Sequence, residues 1–309
     1  MAKKTAQKTQ SGENPRRPCP CGSGKRWKAC HGAGDDVIVT RPFAGLAAEC
    51  DLIALRELLP SATAPLALAE PLDVPVTVAS VLPGACAALV RPDGEIRLGM
   101  QVQTRSGDLS ADRARALAWA RPAGPGSSLS VVGPGGTEVA RLQDVLDPDA
   151  ALDITVHRDF GWWLVPDDGD PSPEVAATLE RANKVVMATE PVGERGAYWV
   201  DTGSKAHLRW VRPEPEDALV AAMARLHARG ELTLGSDNST DSRYAGSFRA
   251  HGLLVPVWDL DRELHAKEWA EPVAEFAARL DKALADPAPL TDAERRARDA
   301  LAGKQVTLR

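Results

Sequence analysis

Four metal-capable side chains crowd into one short stretch near the N-terminus, Cys19, Cys21, Cys30 and His31 of CPCGSGKRWKACHG. Three thiolates and one imidazole suit tetrahedral zinc, with zinc–sulfur distances of about 2.3 Å and zinc–nitrogen distances of about 2.0–2.1 Å. Four protein ligands close the coordination sphere and leave no position for a substrate or an activated water. The predicted metal is therefore structural. Gly22, Ser23 and Gly24 let the chain reverse between the two ligand pairs. Disulfide pairing is the competing reading, but C-x-C is a strained spacing and the remaining cysteines point to a reducing compartment. Ordering such a segment costs roughly 1–2 kcal/mol per residue in backbone entropy. Almost no apolar side chains are present to offset that cost, whereas structural zinc contributes on the order of 10–16 kcal/mol in finger peptides.

Lys25, Arg26 and Lys28 surround the ligands, with Trp27 among them. Two readings stand for these residues. They balance the charge of about −1 that zinc and three thiolates leave behind, or they form a docking face with Trp27 as its anchor.

A second group of interest is RYAGSFRAH, residues 243–251. Arg243, Tyr244, Arg249 and His251 form a candidate ligand-binding group that would take an anion or a nucleic acid through charge and stacking. The plainer expectation is a loop closing onto a strand, with Tyr244 and Phe248 in the core. HRDFG at 157–161 fuses two protein-kinase tripeptides, but Asp159 would have to serve both, and no lysine occurs between Lys28 and Lys184. A kinase is excluded. The histidines outside the zinc segment show no metal-binding spacing, and Glu49 and Asp51 flank Cys50 in a way that raises a thiol pKa. Cys50 and Cys86 read as packed thiols.

The elements that must hold these residues begin beyond Gly34. Residues 47–59 have helical periodicity ended by Pro60. Residues 76–81 and 85–90 read as strands, and RPDG at 91–94 turns the chain into a further strand at 95–103. Ser110 is the expected cap of a helix running to Trp119. Residues 127–132 and 137–142 read as a hairpin around GPGG, which lacks the Lys-Ser/Thr ending of a phosphate loop. Strands are expected at 154–156, 161–165, 184–189, 197–200 and 206–211. Ser172 and Pro173 open a helix to Asn183, and residues 214–229 form an amphipathic one. A polar loop at 235–247 leads into a final buried strand. Residues 260–285 read as a long helix bent at Pro272, and Thr291 with Glu294 forms a capping box.

The expected fold class is α+β: antiparallel sheets with packed helices, preceded by a small zinc knuckle on a disordered basic tail. AALVRPDGEIRLGM and AYWVDTGSKAHLRW, each a hairpin followed by a helix, raise an internal duplication carried by few identities. The expected organisation is a tail at 1–17, a zinc motif at 18–34 and a body at 35–309. The body would comprise similar halves near 40–150 and 151–260, with C-terminal helices at 261–303.

PCPCGSGKRWKACHG resembles the SEC-C motif, a zinc-binding module best known from the C-terminal tail of the SecA translocase. Cys19, Cys21, Cys30 and His31 fall at its ligand positions, Lys25 and Lys28 at its basic ones, and Trp27 where tyrosine or phenylalanine is common. In SecA the module engages the chaperone SecB and has been linked to ribosomes. RPFAGLAAECDLIALRELLPSATAPL and FRAHGLLVPVWDL are similar to an uncharacterised actinobacterial family of SEC-C-containing proteins. That resemblance implies no activity for the body, which has no Walker A sequence.

Charge divides along the same line. Residues 1–34 carry +7 of a chain whose net charge is −6, so the remainder carries −13. A basic arm on an acidic body suggests an anionic partner for the arm. No apolar run follows Lys3 and Lys4, and the uncharged stretch 74–90 is broken by prolines, so neither a secretory signal nor a membrane span is expected and the location is cytoplasmic. The functional expectation is a zinc-binding adaptor whose knuckle meets a macromolecular partner: a chaperone, the translocation machinery, or a ribosome through its RNA. The alternative is an enzyme with its site near residues 235–251.

Overall fold

Helix α1, Glu49–Glu57, sits between two β-sheets and is buried along most of its length. The structure is a computed structural model that describes residues 38–103, 106–133, 140–164, 171–235 and 242–303. The expected zinc segment and its basic neighbours lie outside the described residues.

The first sheet is built from β1 (Ala62–Pro65), β2 (Val76–Ala79), β3 (Ala88–Val90), β4 (Ile96–Gly99), β5 (Ser128–Leu129) and β6 (Thr155–Val156), in the order β5-β3-β4-β2-β1-β6. All its pairings are antiparallel except β2 with β4, where Val76 lies opposite Ile96. The parallel pair arises because the chain leaves β2 through a short 3-10 turn, Pro83–Ala85, and skips one strand position before β3. The 91–94 turn then folds β4 back into the vacant position. Gly99 makes this crossover possible, since a Cβ there would lie 2.5 Å from the Cys86 carbonyl oxygen. Helix α2, Leu109–Ala120, covers this sheet, with Ala116, Leu117 and Ala120 against Val90, Ile96 and Leu98.

Asp108, rather than Ser110, caps α2 by accepting from the amides of Ser110 and Ala111. The Ser110 hydroxyl is used elsewhere. It donates to Gln143 at 2.6 Å and accepts from the Leu142 amide, holding the short helix α3, Leu142–Val145, against α2. The expected hairpin around GPGG therefore ends in a helix turn at Leu142, and residues 134–139 lie outside the described residues. The expected strand at 161–165 is a 3-10 turn, Gly161–Trp163, because the Asp159 carboxylate accepts from the Gly161 amide at 2.7 Å and Phe160 stacks on Trp163. Helix α4, Pro173–Asn183, follows, with the Ser172 hydroxyl accepting from the Val175 amide. The expected strand at 184–189 is reduced to its last residue.

The second sheet comprises β7 (Thr189–Pro191), β8 (Ala197–Asp201), β9 (Ala206–Trp210), β10 (Ser242–Ala250) and β11 (Leu253–Leu260), in the order β10-β11-β9-β8-β7, antiparallel throughout. Part of the polar stretch expected to be a loop, from Ser242 onward, is thus a strand. Helices α5 (Glu216–Ala228), α6 (Ala270–Leu284) and α7 (Asp292–Ala302) cover one face, burying Trp210, Trp258, Phe276 and Met223 in a common core. The expected bend at Pro272 is absent. The helix begins at Ala270, so Pro272 sits in its first turn, where a missing amide is tolerated. Thr291 and Glu294 form the expected capping box, the hydroxyl accepting from the Glu294 amide and the carboxylate from the Thr291 amide.

The opposite face of the second sheet, with Tyr198, Val211, Leu253 and Val255, packs with α1 and with Ala62, Val78 and Met100 of the first half. The hairpin-then-helix order recurs as β3-β4-α2 and β8-β9-α5. The next strand pairs with β3 in the first case, while β11 pairs with β9 in the second. Among the described residues no helix is long and apolar enough to cross a membrane.

The β10–β11 turn closes onto the chain entering the body. Gly252 has φ +84°, and a Cβ there would lie 2.9 Å from the Arg41 Cβ and 3.0 Å from the Thr40 carbonyl oxygen. Gly252→Ala should therefore destabilise the protein by about 1–3 kcal/mol. Gly124→Ala, where nothing lies within 4 Å, should be neutral, and urea midpoints of the two variants check the contrast.

Candidate functional site

Cys19, Cys21, Cys30 and His31, with Lys25, Arg26, Trp27 and Lys28, lie outside the described residues, so the site geometry concerns residues 243–251. Strand alternation alone would place Arg243 and Arg249 on one face of β10. A β-bulge between Tyr244 and Gly246 inserts one residue and reverses the parity. The four candidate residues consequently part company.

Arg243 faces away from the helices and meets Asp259 of β11 at 3.1 Å. Tyr244 turns inward and packs edge-on against Trp258, with ring centroids 5.6 Å apart, while the Trp258 indole donates to the Leu232 carbonyl. Burial pushes the Tyr244 hydroxyl up, against a hydrogen bond with Ser247. Arg249 lies on the helix side and makes a two-pronged pair with Glu216 at 2.6 and 2.5 Å. That bond, opposed by slight burial, holds the Glu216 carboxyl below the usual range. His251 occupies the turn with φ +47°, its Nε2 2.7 Å from Glu57 of α1 and its ring edge-on to Phe43. The expectation that Tyr244 belongs to the core holds. The expectation of a loop does not.

Tyr244 and Arg249 do share one cavity, of about 290 Å³, between α5, α7 and β10. Met223, Tyr244, Leu254 and Leu301 supply apolar walls, and Glu216, Asp217, Ser247, Arg249 and Arg298 supply polar ones. Among the described residues, neither histidine nor cysteine lines it. Its polar groups can orient a small ligand or an extended side chain, but Arg249 is already committed to Glu216. Arg298 and Leu301 come from the last described helix, far from β10 in sequence. No local signal in the chain could have associated them with the 243–251 stretch.

The other reactive groups are quiescent. Cys50 is buried and its thiol is pushed up to about 12 by burial, with Asp51 and Glu49 adding to the effect. Burial also raises Cys86. Among the described residues no group of three or more His, Cys, Asp or Glu side chains is arranged to hold a metal. His157 stacks on Trp162 and pairs with Thr63 at 2.8 Å, and burial lowers its pKa.

The chain enters the body through a fixed anchor. The Val39 amide donates to the Gly107 carbonyl at 2.8 Å. Arg41 makes a two-pronged pair with Glu49 at 2.7 and 2.8 Å and reaches the Pro213 carbonyl at 3.2 Å. Any module carried by the preceding residues is thus rooted where the two halves and α1 meet.

The model of a family of unknown function (DUF5926) matches residues 42–309. The SEC-C motif model matches residues 18–33. No curated protein and no solved structure matches the chain.

The Glu57–His251 contact yields a pH test. The Glu57 carboxyl is depressed, first by the hydrogen bond from His251 and then by the charges of His251 and Arg56, against burial. A depressed carboxyl contributes stability that is present above its ordinary value of 4.5 and lost as pH falls through the folded value. On descending from neutral pH past that value, the melting temperature of the unmodified protein should fall more steeply than that of Glu57→Gln. Parallel curves would show that the contact contributes nothing.

Proposed function

The chain belongs to the family of unknown function DUF5926, and we propose that it acts as a zinc-binding adaptor whose SEC-C segment captures a macromolecular partner for the body that follows. The observation that carries this reading is the SEC-C match over residues 18–33, which encloses Cys19, Cys21, Cys30 and His31. Zinc held by those four side chains would be structural, because three thiolates and an imidazole complete a tetrahedron. The neighbouring Lys25, Arg26 and Lys28 would present positive charge, and Trp27 an apolar anchor, to a chaperone, translocation or ribosomal surface.

The body supports the reading by what its polar groups are doing. The arginines and histidine that an active site near residues 235–251 would use are bound to Asp259, Glu216 and Glu57 in three different places. The enzyme reading retains one support, the cavity beside Arg249. The proposed division is a zinc-stabilised arm at 18–34 and an α+β body from 35 onward that folds without it, since the body has its own buried cores. We place the chain in the cytoplasm, where free thiols persist.

The test uses the full-length protein. Metal analysis should find about one zinc per chain, lost in Cys21→Ser while the melting temperature of the body is unchanged. Zinc retained at full occupancy in that variant would overturn the ligand set. In pull-downs from lysate, the zinc-loaded chain should retain a partner that Cys21→Ser releases. Release by modest salt points to phosphate contacts, whereas dependence on Trp27, tested with Trp27→Ala, points to a protein surface. Equal retention by the Cys21→Ser chain would dispose of the adaptor reading.

A further inference from the structure

Strand β10 is the longest described strand of either sheet, nine residues from Ser242 to Ala250, and it lies at the end of its sheet. Among the described residues its strand neighbour is β11 alone. Alternate backbone groups of an antiparallel strand turn toward its partner and the others point away. β10 therefore presents a row of amides and carbonyls along its outer side. Such an edge invites pairing with another chain, and proteins protect it with bulges, charges or a covering segment. The bulge between Tyr244 and Gly246 interrupts only the first half of the strand. The regular stretch beyond it, with Ser247 and Arg249, borders the cavity between α5, α7 and β10.

Helix α7 delivers the chain to this place. Leu301 and Ala302 line the cavity, and Gly303 follows them. The next six residues, Lys304 to Arg309, read KQVTLR and lie outside the described residues. Val306 and Thr307 are β-branched, and Val306 and Leu308 recur at the period of a strand with one apolar face. Six extended residues reach roughly 20 Å. The stretch of β10 from Tyr244 to Arg249 spans at most about 17 Å. Charge agrees with this match in length. The six residues carry Lys304 and Arg309 and no acid, while Asp217 on the cavity rim has no hydrogen bond or ion pair with any described residue.

We propose that residues 304–309 add to the outer edge of β10 as a short strand and direct Val306 and Leu308 into the cavity. Pairing of this kind satisfies the outward backbone groups of β10. It also sets aliphatic side chains against Met223, Tyr244 and Leu301, each more than nine-tenths buried and each lining the cavity of about 290 Å³. The faces agree. Tyr244, Ser247 and Arg249 lie on the helix side of β10, so alternate residues of an added strand stand over the same cavity. Tethering selects this occupant over a free peptide or a second copy. Gly303 holds the segment beside the edge at an effective concentration on the order of millimolar. The cavity is then closed by the chain itself rather than kept open for a substrate.

The test compares three zinc-loaded proteins: the full-length chain, the same chain with Val306→Asp and Leu308→Asp, and a chain ending at Gly303. Methyl NMR of the full-length protein should place the Val306 or Leu308 methyls beside the Met223 methyl and the Tyr244 ring. The β10 amides that do not bond to β11 should exchange with solvent about tenfold more slowly in the full-length chain than in either altered chain. Amides of β8 and β9 should exchange alike in all three, which shows that the fold is kept. Zinc content should also be equal, so the outcome is independent of the adaptor reading. Equal exchange of the outward β10 amides in the three proteins would overturn the proposal. So would the absence of contacts between those methyls and the cavity walls. Edge protection that persists in the chain ending at Gly303 and vanishes on dilution would overturn it in favour of a second copy.

Discussion

The body depends on burying α1, and that burial depends on two carboxylates finding cations. Seven consecutive residues, Glu49 to Leu55, are buried, so the first two turns of α1 have no solvent face to carry their charges. A helix buried all round is normally apolar throughout. Here Asp51 is met by Arg195, which reaches in from the start of the second sheet and binds it through both Nε and Nη2. Asp51 also accepts from the Leu152 amide on the first-half side. Glu49 is met by Arg41, which in turn reaches Pro213. Each carboxylate therefore fastens α1 to another segment. Removing either cation would leave a buried negative charge unpaired, which is far more damaging than exchanging the whole pair for apolar groups.

The same arrangement explains why the two sheets share a core in addition to the one that each has with its own helices. The second sheet has two apolar faces. Its helix-covered face is sealed by α5, α6 and α7, and its other face borrows α1 and the first sheet. Where that borrowed cover gives way along β9 to Arg209 and His207, the face turns polar. The bulge in β10 sets the boundary from the other side, sending Arg249 toward α5 and leaving Arg243 with Asp259. A one-residue irregularity thus decides which cations belong to the cavity and which to the outer face.

Local chemistry made part of this legible in the sequence. The Thr291–Glu294 box, the Ser172–Pro173 start and the 91–94 turn each involve groups within a few residues, and each forms as expected. The SEC-C motif over residues 18–33 is legible for the same reason, being a matter of spacing. What the sequence concealed depends on distant partners. Ser110 looks like a cap until Gln143 and Leu142 claim its hydroxyl. The 161–165 stretch has strand-like residues, but Asp159 and the stacked aromatics curl it into a turn. Arg243, Tyr244, Arg249 and His251 look like one group because they are neighbours in sequence. Alternation, the bulge and the turn distribute them over three environments.

The anchor at Val39 and Arg41 has a consequence for how the arm can work. Six residues, 32–37, separate His31, the last of the proposed ligands, from Ile38. Whatever path they take, seven peptide steps span at most roughly 25 Å. The anchor fixes one end of that leash at the junction of α1, the β10–β11 turn and the α2 cap loop. On the adaptor reading, a partner held by the arm would be confined near the body at an effective concentration on the order of millimolar. At such a concentration a second contact too weak to be seen with the isolated body suffices to complete the complex. The short leash would let two modest surfaces behave as one strong binder.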